Sequence, residues 1–122
     1  MNKISLSIWD REFTLDIIYQ NYPGEEITDI QRQTVDRIPS VDFSLALEKV
    51  KEYIFKSNPD EVSQGITNIF KFVMPKRILV DRSNNSRVFG IICNYKFDIE
   101  HGIVIVYEDE QLKEVGSEDI IL

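Results

Sequence analysis

One cysteine, one histidine and one tryptophan stand in a chain of 122 residues, and only five glycines are scattered along it. Each scarcity excludes something. A lone Cys93 has no partner for a disulfide within the chain, and its place in an apolar alternation beside Ile91 and Tyr95 predicts a buried thiol in a reducing compartment. Singly placed glycines supply no phosphate-cradling loop, and Cys-x-x-Cys, His-Glu-x-x-His and Gly-x-Ser-x-Gly are all missing. No apolar run approaches the length of a membrane span, and the N-terminus shows no charged-then-apolar leader, so a cytoplasmic protein without a membrane partner is expected. No cofactor and no enzymatic activity are expected. Basic charge is also short: 14 basic residues face 21 acidic ones, a formal charge of −7. That balance disfavours direct contact with a nucleic-acid backbone and favours a partner with a basic surface.

What is present suits one globular domain, residues 1–122. The hydrophobic share of 43% and charged share of 29% separate the chain from disordered compositions, and its length is enough to bury a core without metal or disulfide. In the C-terminal third, short apolar runs alternate with turn residues, the pattern of an antiparallel meander. A hairpin turn is expected at Ser83-Asn84-Asn85-Ser86. The strand after it, 87–97, puts Phe89, Ile91, Cys93, Tyr95 and Phe97 on one face and Val88, Gly90, Ile92, Asn94 and Lys96 on the other. Asp98 to Gly102 should reverse the chain, with Asp98 bonding the backbone and Gly102 taking positive φ. Ile103, Ile105 and Tyr107 mark the next strand, Leu112 to Val115 an outer one, and Ile120, Ile121 and Leu122 tuck into the fold.

Ahead of this, Ile4, Leu6 and Ile8 and then Phe13, Leu15, Ile17 and Tyr19 alternate as an opening hairpin, with Ile18 read as partly covering a second face. Thr28 and Gln31 have capping-box spacing and predict a helix over 29–37. Pro39 ends it, Ser40 is placed as the next cap, and Phe43, Ala46, Leu47, Val50, Tyr53 and Ile54 fit the stripe of a second helix running to Ser57, where Asn58-Pro59 stops it. Residues 60–75 read as a short helix or turn leading into an extended segment up to Pro75. The fold expected is α+β: an antiparallel sheet made from the N-terminal hairpin and the C-terminal meander, with two helices packed on one face.

Asp98, Glu100 and His101 lie within one turn, and carboxylates beside an imidazole are metal-binding types; the spacing matches no established zinc pattern, so a turn carrying solvated acids is the ordinary reading. A Cys93–His101 nucleophilic pair would sit across opposite ends of a strand. Charge is unevenly spread: residues 71–97 carry one acid and six bases, residues 98–122 eight acids and one base. Either these segments pair within the sheet, or the acids form a binding face. On the second reading the partner-binding residues are Asp98, Glu100, Glu108, Asp109, Glu110 and Glu114.

Trp9-Asp10-Arg11-Glu12-Phe13 with Leu15-Asp16, then Tyr22-x-Gly24-Glu25-Glu26, Phe97-Asp98-x-Glu100-His101-Gly102 and the ending Val115-Gly116-x-x-Asp119-Ile120 resemble a family of small bacterial α+β domains of unassigned function. Such domains occur among the immunity proteins of polymorphic and contact-dependent growth inhibition toxins. On that resemblance a tryptophan is expected where Phe97 stands and a proline where Ile99 stands. The resemblance implies a protein-binding domain, and from it a cytoplasmic immunity protein that occludes the active site of a cognate protein toxin, a nuclease among the possibilities. The alternative is a small-ligand-binding or regulatory housekeeping domain.

Overall fold

The computed structural model describes residues 2–82 and 85–120. The opening alternation folds as strands β1 (Lys3–Ile8) and β2 (Arg11–Tyr19), paired antiparallel with Ile8 opposite Arg11. Only Trp9 and Asp10 remain for the turn, and both adopt positive φ, 51° and 66°. Two left-handed residues in a two-residue loop give the twist that matches a hairpin. Neither is glycine, so the usual signal for this turn is missing from the sequence.

The chain then leaves the sheet for two helices. Thr28 accepts from the Gln31 backbone while the Gln31 side chain accepts from the Thr28 backbone, and this reciprocal cap starts α1 (Asp29–Arg37) at the predicted residue. The second helix, α2 (Ser44–Ser57), begins later than expected. Ser40 does not cap it: its hydroxyl donates to the Arg37 carbonyl at 2.6 Å within a 3-10 turn, Ile38–Ser40. The N-cap is Phe43, without a side-chain cap, and Asp42 before it accepts from the Ser44 N–H at 2.9 Å through Oδ1.

Residues 60–75 hold no α-helix. Two 3-10 turns, Pro59–Val62 and Ile69–Lys71, lead into β3 (Val73–Val80), which runs on through Pro75. Proline is tolerated there because the register against the next strand shifts between Pro75 and Arg77, and pairing with β2 starts only at Arg77. β4 (Val88–Tyr95), β5 (Ile103–Glu108) and β6 (Gln111–Gly116) complete the meander. β3 and β4 form a hairpin, although Ser83 and Asn84 of its predicted turn lie outside the described residues, as do Ile121 and Leu122.

The sheet order is β1-β2-β3-β4-β5-β6. It is mixed, not wholly antiparallel: β2 and β3 run parallel, with Asp16 opposite Arg77 and Tyr19 opposite Val80. The helical crossover returns the chain to the starting end of β2, and a strand that starts there must run alongside it.

Both helices cover one face. Ala46, Val50 and Ile54 of α2, with Phe43 just before it, are buried together with Ile8, Leu15, Ile78, Ile91 and Ile105. Leu47 and Tyr53, expected in the same stripe, are only half-buried on its flanks. Gln31 of α1 is fully buried, and its amide donates to the carbonyls of Gln20 and Val80. The opposite face carries a smaller cluster, Leu79, Val88, Ile92, Val104 and Val106, against which Ile120 packs. The alternation read in β4 is thus correct on both sides. Ile18 departs from expectation: it is substantially exposed. No helix among the described residues is long and apolar enough to cross a membrane.

Candidate interaction surface

Five of the six acidic residues singled out in the sequence fall into two groups at opposite ends of β5, and the sixth, Glu114, lies within β6 opposite Val106. Six strand residues separate the groups by about 20 Å. At one end, Asp98 shapes the turn: its Oδ1 accepts from the His101 N–H at 3.2 Å and lies 3.1 Å from His101 Nδ1, and its carbonyl accepts from Gly102 at 2.9 Å. Glu100 is exposed beside it. Phe97 anchors this turn, packing on Phe72 and meeting Tyr95 edge-on. Ile99 is almost fully exposed, so its side chain does nothing to stiffen the turn.

Glu108, Asp109 and Glu110 sit at the other end, around a second two-residue turn with positive φ at Asp109 and Glu110. Here the basic and acidic segments do pair within the sheet. Arg87, just before β4, donates to both oxygens of Glu110, at 2.7 and 3.0 Å, and its backbone N–H donates to Asp109. Arg37 reaches Glu110 at 3.4 Å from the end of α1, and Glu108 accepts from Ser86 while facing Lys113. The hydrogen bond from Arg87, reinforced by the charges of Arg87 and Arg37, holds the Glu110 carboxyl below its usual range.

A depressed carboxyl stabilises the fold above its unfolded pKa and loses that contribution as pH falls through the folded value. Glu110→Gln should therefore lower the urea midpoint at pH 7, with the gap to the parent closing in acid below the carboxylate range. Equal gaps at both pH values would show that the ion pair is not its source.

Cys93 and His101 do not meet. The Cys93 thiol is buried on the helical face and pushed far above its ordinary pKa by that burial, whereas the His101 ring is largely exposed against Asp98. Thiolate is the reactive form, so Cys93 should react with an aromatic disulfide reagent only as fast as the chain unfolds. Immediate labelling of native protein would mean the strand opens locally. Among the described residues no three His, Cys, Asp or Glu side chains gather as metal ligands.

A groove with apolar and charged lining lies elsewhere, between α2 and the edge strand β6. It measures about 340 Å³ and is lined by Leu45, Tyr53, Leu112 and Val115 together with Lys49, Glu52, Lys56, Lys113 and Glu114. Leu45 is 57% exposed. Of the six predicted acids only Glu114 borders this groove. Leu45 falls outside the stripe of apolar positions that faces the sheet, as does the partly exposed Phe55. An off-stripe leucine on an amphipathic helix is a signal that the sequence does carry.

A family profile described as "Domain of unknown function (DUF6985)" matches residues 2–122, and the chain belongs to this family. No curated protein and no solved structure matched.

Proposed function

We propose that this domain acts by binding another protein, and that it serves as a cytoplasmic immunity protein which neutralises a cognate toxin by covering its active site. The observation that carries the reading is the groove between α2 and β6, whose lining combines the apolar Leu45, Tyr53, Leu112 and Val115 with charged side chains. An apolar middle with a polar rim is the anatomy of a specific protein interface, and its energy concentrates in a few central side chains. Two lining lysines are already matched, Lys49 by Glu52 at 3.3 Å and Lys113 by Glu108 at 3.5 Å. The net charge of −7 adds long-range attraction toward a basic partner and speeds encounter. The likeness of the terminal motifs to immunity proteins points the same way.

The test pairs the protein with the toxin domain encoded beside its gene and measures affinity at two salt concentrations. The parent should bind more tightly at low salt, and Leu45→Glu should weaken binding at least about tenfold while leaving the fold intact, since the leucine is exposed. A neighbouring toxin domain that is not bound would sink the immunity reading. Undiminished binding by Leu45→Glu would remove this groove from the interface.

A further inference from the structure

β2 and β3 are the only parallel neighbours in the described sheet, and their carboxyl ends release the chain at the same place. The Gln20 N–H donates to the Val80 carbonyl at 2.9 Å, and the Gln31 amide holds the carbonyls of both residues from above. The departing segments leave a crevice of about 290 Å³ between them, lined by Gln20, Asn21, Tyr22, Asp81 and Arg82.

The crevice has a definite polarity. Arg82 is already engaged: Nη1 donates to Asn21 Oδ1 and to the Glu26 carbonyl, and Nη2 lies 3.4 Å from Glu25. Glu25 in turn accepts from the Tyr22 N–H at 2.9 Å. Two acceptors remain. Gln20 Oε1 is shielded from solvent with no hydrogen-bond partner among the described residues, a costly condition for a carbonyl oxygen. The half-buried Asp81 carboxylate forms no ion pair there among the described residues. Tyr22 is 76% exposed at the mouth. Counting Asp81 and Glu25 against Arg82, the formal charge of the lining and its brace is −1.

We infer that this crevice binds an alkylguanidinium group, whose N–H donors are accepted by the Asp81 carboxylate and, once the Gln20 amide turns outward, by Gln20 Oε1, while the Tyr22 ring covers its face. Guanidinium suits the site better than ammonium, because it spreads several donors in a plane and stacks on aromatic rings. An anion is disfavoured: the nearby N-terminus of α1 is closed by its own capping box, and Arg82 is spent on Asn21, Glu25 and Glu26. The group could be an arginine side chain of a polypeptide or a free small guanidine. This site is separate from the α2–β6 groove and does not depend on it.

The test is a ¹H–¹⁵N NMR titration of the whole chain with methylguanidinium, with an end-blocked Gly-Arg-Gly tripeptide and with inorganic phosphate. Saturable shifts confined to Gln20, Asn21, Tyr22, Asp81 and Arg82 are expected, with a dissociation constant of about a millimolar for so small a ligand. Binding of both guanidines assigns the source as a polypeptide side chain; binding of methylguanidinium alone assigns a free small molecule. Asp81→Asn should weaken binding about tenfold, and Tyr22→Ala, at an exposed position that leaves folding unaffected, severalfold. No saturable shift with either guanidine, shifts unchanged in both variants, or stronger binding of phosphate would each overturn the assignment. Failure here would leave the toxin-binding test at Leu45 untouched.

Discussion

Gly102→Ala should destabilise the domain by about 2–5 kcal/mol, and Gly102→Val by more. Two costs add. Gly102 has φ +63°, where a side chain costs about 1–2 kcal/mol. A Cβ built there would also lie 2.5 Å from the Cys93 carbonyl oxygen, an atom fixed in the middle of the sheet, and relieving such overpacking costs roughly 1–3 kcal/mol. The two terms can be separated. Gly65 has φ +88° with nothing within 4 Å of an added Cβ. Asparagine tolerates the left-handed region, so Gly65→Asn should be nearly neutral while Gly102→Asn remains strongly destabilising. Urea denaturation of the pair decides the matter: equal small losses would mean that the approach to Cys93 is not limiting.

Ile54→Asp should abolish folding or come close to it. Ile54 is fully buried beneath α2, so the substitution removes about 1.5–3 kcal/mol of apolar burial and places a carboxyl where no partner waits, a further cost of several kcal/mol. Against a total stability of about 5–15 kcal/mol for a domain of this kind, little remains. Leu47→Asp makes the contrast. Leu47 lies half-buried on the helix flank beside Trp9 and Asp10, at the mouth of a surface groove, and a carboxylate there can turn outward to water. Its cost should stay near 1–2 kcal/mol. Circular dichroism and thermal melts of the two variants measure this directly, and equal unfolding by both would move the core-facing side of α2 toward Leu47.

The comparison between these two positions shows what hydropathy periodicity can and cannot deliver. A stripe of Phe43, Ala46, Leu47, Val50, Tyr53 and Ile54 locates α2 and its inward side, but the stripe is wider than the true contact line, and only the sheet beneath decides which members are covered. Elements governed by local chemistry were legible to the residue. The Thr28 and Gln31 cap set the start of α1, and the alternation from Val88 to Tyr95 placed both faces of β4 correctly. Pairing partners were not legible. Nothing within β2 or β3 records that they run parallel, because that follows from where the intervening helices deposit the chain. The acidic residues suffered the same limit. Glu110 reads as an exposed charge in a turn, yet Arg87, 23 residues earlier, folds against it and makes the turn a clasp. The groove under Leu45 needed both α2 and β6, which are separated by most of the meander.

One consequence of the strand order concerns the time course of folding. Every strand in this sheet neighbours the one next to it in sequence, so each antiparallel pair closes over a short loop and can form quickly. The β2–β3 pairing is the exception, since residues 20–72, 53 in all, must be spanned before it closes. During synthesis at about 5–20 residues per second, the hairpin of β1 and β2 emerges with one edge bare and waits roughly 3–11 s for the first residues of β3. Through that interval β2 presents unpaired backbone groups and the apolar side chains of Leu15 and Ile17 to whatever passes. The length of the helical crossover thus sets the period in which the nascent chain is most open to misassociation.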